Sequence, residues 1–534
     1  MKNYKMKAVI IFSSILFISL WFLSNQFEVS IRINKQFIDN KFPILSDSNP
    51  IKYNWNITWG RAGNDELYAI STDSTGNIYG TGYVKNDGVD WDMKLVKFDS
   101  SGAQLWNRTY DGPYGTDQFG TDLVIDSTDN VFVGGDVEPV NALNSYIALF
   151  KYNSSGDFQW SNINFGTGGN TFNRGFGIAL DSMGNIYITG RTSSYGEGGD
   201  DICLVKYNSS GVIQWYRTWG GINDDCAYTI TLDSSENIYL AGYTESFGAG
   251  DIDIVLVKYD SSGVFQWYRI WGGAGADYAN SIALDSSENI YLTGSSNTDL
   301  CLVKYNSAGT YLWNKTSGFG GNDDGQDIII DSLDYIYLGG SVSSNGFDMY
   351  LSKYDEDGNR LWDYMWGGSD FEMCLALTLI SQSNIYLAGI TDSYGAGDED
   401  FSLVSLTILP LPIITIISPD MNDVFGKDAP TFEILIDELN LVSTWYTIDG
   451  GLTNITFSGV IGTIDENAWE NALEGEITIT FYAQNTGGYV GNKNVVITKN
   501  IPTKTPTIPG YDIFFLLSFL SLVAIIIKRK KRSF

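Results

Sequence analysis

The stretch WGGAGADYANSIALDSSENIYLTGSSNTDLCLVKYNSAGTYLW, from Trp271 to Trp313, is one copy of a unit that recurs from Tyr53 to Leu406. Its core, Asp-Ser-x-x-Asn-Ile-Tyr-x-x-Gly, begins at Asp73, Asp126, Asp181, Asp233, Asp285 and Asp331, and in worn form at Ile380. Seven copies spaced by about 50 residues indicate a repeat architecture. Within the unit, four runs alternate apolar and polar residues as strands do: Ala279 to Leu284, Asn289 to Gly294, Leu300 to Tyr305 and Thr310 to Trp313, here termed A, B, C and D. The A-to-B and C-to-D connections are short and built from Asp, Asn, Ser and Gly, so neighbouring strands are expected to pair as antiparallel hairpins. Four antiparallel strands at this period describe a propeller blade.

The ends of the array decide the count. The chain enters with a lone D strand, YNWNITWG from Tyr53, and leaves with a C strand, FSLVSL from Phe401, that has no D strand after it. Six complete units and two complementary halves predict seven blades, with Tyr53 to Trp59 lying beside Phe401 to Leu406. Such closure pairs strand edges that would otherwise be exposed. The elements LVKYDSSG, QWYRTWGG and DSSENIYLTG resemble the prokaryotic SBBP β-propeller repeat family over about two thirds of the chain, and the resemblance implies a propeller without implying a shared catalytic site.

The expected fold is therefore all-β: a seven-bladed propeller closed by the N-terminal outer strand over residues 53–409, followed by a second β domain. Pro410-Leu411-Pro412 marks the boundary. Residues 410–500 then carry short strand-like runs (IITII, TFEILI, STWYTID, EITITFYA, NVVITK) suited to a sandwich of about seven strands. This part, most visibly TWYTIDGG from Thr444 to Gly451, resembles the Ig-like modules of prokaryotic surface proteins.

One hydrophobic helix is expected at each terminus. Residues 1–23 have a basic start and an apolar run from Ala8 to Leu23, the form of a signal peptide or signal anchor. Residues 24–52 read as a lead-in or stalk, and 501–510 as a Thr- and Pro-rich linker. Residues 511–534 read as a transmembrane helix with a basic cytoplasmic tail, the apolar run from Ile513 to Ile527 being stopped by KRKKR. Pro509-Gly510-Tyr511, apolar helix and basic cluster together resemble the C-terminal sorting signals of archaeal surface proteins, with Tyr511 where the best known version has Phe. That resemblance implies recognition by an archaeosortase and replacement of the helix by a lipid; the other reading is a permanent anchor. Either way, the domains between would face outward at the cell membrane.

Composition narrows the chemistry. The 534 residues hold 32 basic and 63 acidic side chains, a net charge of −31, which disfavours nucleic acid and favours cations and basic partners. The absence of histidine removes Ser-His-Asp and Cys-His catalysis and histidine-ligated zinc. Four cysteines, Cys203, Cys226, Cys301 and Cys374, recur at blade-equivalent places without CxxC spacing and are read as isolated buried thiols.

Eight residues before each core motif stand Asp65, Gln118, Asn173, Asp225, Asp277, Asp323 and Glu372. The acids among them, at the D-to-A crossing, are candidates to hold calcium through oxygen ligands; the alternative is that each caps its own turn. Asp73 and its equivalents read as turn formers. The tryptophans Trp106, Trp160, Trp215, Trp267, Trp313 and Trp362 read as inter-blade packing with sugar stacking as the alternative. Asn56, Asn107, Asn153, Asn208, Asn314 and Asn454 stand in Asn-x-Ser/Thr sequons, as in a glycoprotein. Variable B-to-C loops emerge on the same face as the D-to-A loops and are the expected recognition surface. The function expected is that of a non-enzymatic cell-surface binding or adhesion protein whose ligand is a protein or a glycan. The alternatives are an extracellular polysaccharide hydrolase or lyase using carboxylates, and a structural surface-layer component.

Overall fold

A computed structural model of the chain describes residues 50–501, apart from 61–63, 87–89, 113–115, 140–143, 167–170, 344–345, 382, 396–398, 438–440 and 487. The expected terminal helices and most of the lead-in and linker lie outside the described residues. Among the described residues no helix is long and apolar enough to cross a membrane.

Residues up to Leu409 form one unit, which holds seven four-stranded antiparallel sheets among the described residues. In the repeat quoted above the strands are A, Asp277–Leu284; B, Ile290–Ser296; C, Asp299–Tyr305; and D, Tyr311–Ser317. Strand A starts two residues earlier than the alternation indicates, and D runs four residues past Trp313. The turn between A and B closes because Asp285 is both backbone and side-chain anchor: Asp285 N donates to Asn289 O (3.1 Å), while Asp285 Oδ1 accepts from Ser287 N and Asn289 N. Its other oxygen accepts from Asn289 Nδ2 at 2.8 Å. The same bonds recur at Asp73, Asp126, Asp181 and Asp233, so these residues are turn formers.

Strands B and C are buried on both faces, which is why they read as near-continuous apolar runs. The core lies between consecutive sheets. One cluster joins Tyr239, Ala241, Ile254 and Leu256 of the fourth sheet to Ala279, Ile282, Leu292 and Val303 of the fifth. Each A strand packs against the A strand of the next sheet, and Glu372–Ser381 of the seventh packs against Asp65–Thr72 of the first. The seventh sheet takes its D strand from the other end of the unit. Ile51–Trp59 pairs antiparallel with Asp400–Ile408, Trp59 opposite Phe401 and Ile57 opposite Leu403.

Neighbouring sheets are also keyed at their outer edges. The D-strand tryptophan of one sheet lies against the C-to-D turn glycine of the next. Trp55 meets Gly102 in this way, and Trp106, Trp160, Trp215, Trp267 and Trp313 meet Gly156, Gly211, Gly263, Gly309 and Gly358. Each of these glycines has a positive φ, between 75° and 86°, and no room for a β-carbon beneath the ring. In three sheets an arginine two residues after the tryptophan stacks on the ring and donates to the same glycine's carbonyl, as Arg217 does to Gly263 O at 2.6 Å.

The described residues from Pro410 to Ile501 form a second unit, which holds two sheets. Ile413–Ser418, Thr431–Asp437 and Ile461–Thr463 make one. The other holds Val424–Phe425, Val490–Lys499, Gly475–Asn485, Leu441–Thr447 and Ile455–Phe457. Phe432 and Ile434 from the first sheet and Tyr446, Ile479, Phe481 and Ile497 from the second share one core. Eight strands replace the expected seven or so, because three are only two or three residues long. A short helix, Glu466–Asn471, is capped by Asp465 and buries Trp469 in that core.

Candidate functional site

Five of the seven residues at the D-to-A crossing begin their A strands, Asp323 stands just before its strand and Gln118 is the third residue of its own; all are buried, none more than 1 % exposed. Buried carboxylates require hydrogen-bond partners, and the turns supply them. Gly221 N donates to Asp225 Oδ2 (2.8 Å), Gly273 N to Asp277 Oδ2 (2.8 Å), Phe319 N to Asp323 Oδ2 (2.5 Å) and Gly368 N to Glu372 Oε2 (2.7 Å). Gly112 N donates likewise to Gln118 Oε1 at 3.0 Å. A threonine at the end of strand B closes the other side in several sheets: Thr192 on Asn173, Thr244 on Asp225 and Thr391 on Glu372. These residues stand one per sheet, and among the described residues no three acidic, histidine or cysteine side chains converge on a metal-sized space.

The structure adds a partner set missing from the sequence reading. Asp92, Asp201, Asp253, Asp299, Asp348 and Asp400 occupy one position near the start of strand C, just before the LVKY-like run. At the crossing between sheets, this acid faces the A-strand acid of the next sheet across a glycine. A β-carbon on Gly220 would collide with Asp201 Oδ1 and stand 2.7 Å from Asp225 Oδ2, and Gly272 and Gly367 hold Asp253 with Asp277 and Asp348 with Glu372 in the same way. Burial pushes Asp201 up to about 6 against a hydrogen bond from Glu197, and the charge of Asp225 adds to the rise. The recurrence of Asp before LVKY was the signal that would have found these residues.

Two ends of the sheets differ sharply. At one end every A-to-B and C-to-D connection is a tight turn. At the other emerge the D-to-A and B-to-C loops, and with them the exposed side chains Phe172, Ile222, Phe247 and Tyr394. Of the variable B-to-C loops, Asp136 to Ser145 and Thr391 to Asp398 are described only in part; Thr192 to Asp200, Thr244 to Asp251 and Asn297 to Asp299 are described in full. This end also carries charges that do not repeat. Arg174 and Arg191 are cross-strand partners in the third sheet. Glu138 pairs with the first, and Asp200 with the second at 3.3 Å. Burial pushes the neighbouring Asp136 up to about 7, with Arg174 opposing the rise.

The D-strand tryptophans are half-buried rather than open to solvent, Trp106, Trp160, Trp215, Trp267 and Trp313 against turn glycines and Trp362 against Tyr337. The four cysteines are buried and free. Asn454 is exposed, whereas Asn56, Asn107, Asn153, Asn208 and Asn314 are half-buried, and Asn153 and Asn208 use their side-chain oxygens to cap their turns.

Residues 266–300 match the model of the SBBP β-propeller repeat. An uncharacterised WD repeat-containing protein of Acanthamoeba polyphaga mimivirus is 24% identical over 119 residues, covering 18% of this chain and 9% of that protein. Regulatory protein FlaEY of Caulobacter vibrioides is 25% identical over 125 residues, covering 20% of this chain and 13% of its own length. The matched segments thus span only a small part of either relative. Among solved structures, the extracellular domain of a putative hybrid two-component system from B. thetaiotaomicron aligns with a TM-score of 0.38 at 12% identity, covering 84% of this chain and 59% of its own. PorZ, a surface component of the type-IX secretion system of Porphyromonas gingivalis, aligns with a TM-score of 0.43 at 12% identity, covering 83% and 60%. With its recurrent four-stranded sheets and the match at residues 266–300, the chain is a β-propeller repeat protein.

Proposed function

We propose that this protein is a non-enzymatic cell-surface binding protein, in which a closed seven-bladed propeller and an Ig-like domain are held outside the membrane by the C-terminal segment. Support for closure comes from the pairing of Ile51–Trp59 with Asp400–Ile408 and from the core cluster that joins Leu67, Ile70 and Val96 of the first sheet to Ala376, Ala388 and Leu403 of the seventh. The basic cluster after Ile527 would hold that end in the cytoplasm.

The observation that carries the binding role is the contrast between the two ends of the sheets. Repeated tight turns fill one end, while unlike loops, exposed Phe172, Ile222 and Phe247, and the unrepeated arginine pair gather at the other. A rigid scaffold presenting dissimilar loops on one face is suited to recognition. The ligand is a protein or a glycan.

The test replaces the loops 193–200 and 245–252 by the short Asn297-Thr298 connection and measures retention of surface proteins and of arrayed glycans by the purified chain. Loss of a bound partner in a chain that still unfolds in one cooperative transition is expected. Retention of every partner at wild-type affinity would place recognition elsewhere.

A further inference from the structure

Five of the crossings bring two acids together, pairing Asp400 with Asp65, Asp201 with Asp225, Asp253 with Asp277, Asp299 with Asp323 and Asp348 with Glu372. The other two crossings pair Asp92 with Gln118 and Ser145 with Asn173. In the last of these the task of closing the turn is done without charge: Asn173 N donates to Ser145 Oγ, Asn173 Nδ2 to Ser145 O, and Thr192 Oγ1 to Asn173 Oδ1. An amide therefore suffices for the turn, and turn closure alone gives no reason to place two carboxylates together.

The pair Asp253 and Asp277 is the one with the greatest unmet demand. Both side chains are 1 % exposed. Asp253 Oδ2 accepts from Ala249 N and Gly250 N, and Asp277 Oδ2 accepts from Gly273 N. The Oδ1 atoms of both are buried with no hydrogen-bond partner. The reason lies in strand B: Thr244 donates to Asp225, whereas the residue opposite Asp277 is Ser296, from which Oδ1 receives no bond. Asp253 Oδ1 and Asp277 Oδ2 both lie within 2.6 Å of the point where a β-carbon on Gly272 would stand. The two oxygens are therefore no more than about 4.8 Å apart, a span that a cation with oxygen bonds of about 2.3–2.6 Å can bridge. The next residue, Gly273, faces open space, which leaves a route for water and ions.

The geometry points to a binding site for a calcium-like divalent cation between Asp253 and Asp277, tying the fourth sheet to the fifth. The cation satisfies the unpartnered Asp253 Oδ1, shares Asp277 Oδ2 with Gly273 N, and cancels the repulsion of the pair. Water and main-chain carbonyls of the adjoining loops complete an oxygen shell. This site is independent of whatever ligand the loop face takes.

The test follows the thermal unfolding of the purified full-length protein with EDTA and with millimolar calcium chloride, beside terbium luminescence excited through tryptophan, for which Trp271 adjoins the site. Expected is a rise in Tm of roughly 2 °C or more with calcium. Asp253→Asn and Asp277→Asn should melt higher than wild type in EDTA and lose the calcium response, together with the tightest class of terbium sites. Ser296→Thr, a mild change that offers Asp277 the hydroxyl Asp225 already has, should shrink the response several-fold and keeps the test open should the Asn variants fail to fold. A wild-type Tm indifferent to calcium overturns the proposal, as does a full response in any of these variants. So does a Tm that ignores calcium yet rises on acidification and loses that rise in Asp253→Asn, which would assign a shared proton to the pair.

Discussion

Replacing Trp55 by Ala should loosen one sheet before it loosens the molecule. Ile51–Trp59 is the only strand of the seven sheets delivered from a distant part of the chain, and its hold rests on the ladder to Asp400–Ile408 and on a few side chains. Trp55 supplies the largest of these. Its ring lies on Gly102 of the first sheet and packs against Tyr386 at a centroid distance of 5.8 Å. Truncating a packed tryptophan costs about 3–5 kcal/mol when it is fully buried; for this half-buried ring about 3 kcal/mol is the expected scale. At 1.4 kcal/mol per factor of ten, local opening becomes about 100-fold more frequent. Native-state hydrogen exchange should show that acceleration in residues 51–59 and 400–408, with the first and sixth sheets keeping their protection. Trp215→Ala is the control, since its strand Ile213–Trp219 directly follows its partner strand Asp201–Tyr207 in the chain. Equal and uniform acceleration in the two variants would refute the special status of Ile51–Trp59.

Three further outcomes are expected. Gly211→Ala should lower stability by about 2–4 kcal/mol in urea unfolding, because the residue sits at φ 76° and its new methyl would stand 2.5 Å from the Trp160 ring; a change under about 0.5 kcal/mol would refute the interlock. Burial pushes Asp122, Asp136 and Asp324 up to about 7 and Asp201 and Asp327 up to about 6, so the folded state binds these protons more tightly than the unfolded chain. Their stabilising contribution is full below about pH 4 and lost as pH rises through 6 to 7. Asp126, Asp181 and Asp233 run the other way: burial works against their ionisation, but the bonds from Asn130, Asn185 and Asn237 outweigh it, so their contribution is lost below about pH 4. Melting temperature against pH should therefore peak near about 5, and Asp324→Asn should flatten the neutral side. Finally, burial pushes the Cys203, Cys226, Cys301 and Cys374 thiols up, so a thiol reagent should find none of them in the native protein and all four after unfolding.

The repeat was legible because its turns are written in side chains with one job. Asp285 and Asn289 bond each other and the backbone between them, and any chain carrying that spacing turns there. The two halves at Tyr53 and Phe401 were equally plain, since a missing strand leaves a gap in an otherwise regular text. What escaped was whatever depends on a neighbour in space. Asp253 looks like the end of a loop until Gly272 and Asp277 are brought beside it by the next sheet. Strand A begins at Asp277 rather than Ala279 because its first residues are held by pairing with Ser295 and Ser296, not by their own alternation. In the second unit, Ile455–Phe457 and Ile461–Thr463 are too short to show a period, and the helix at Glu466–Asn471 depends on Trp469 finding a core that the local sequence does not contain.

From Trp55 to Trp313, each D-strand tryptophan is given by one sheet and received by the turn glycine of the next. A tandem duplication of the unit therefore arrives with both halves of the fastening, ready to dock on its neighbours without any new surface having to evolve. In the closed ring proposed above, growth or loss of whole units would be limited instead by angle, since every wedge added must be absorbed by tightening the others. Selection on such a gene can act on the number of its copies while leaving the joint between them untouched.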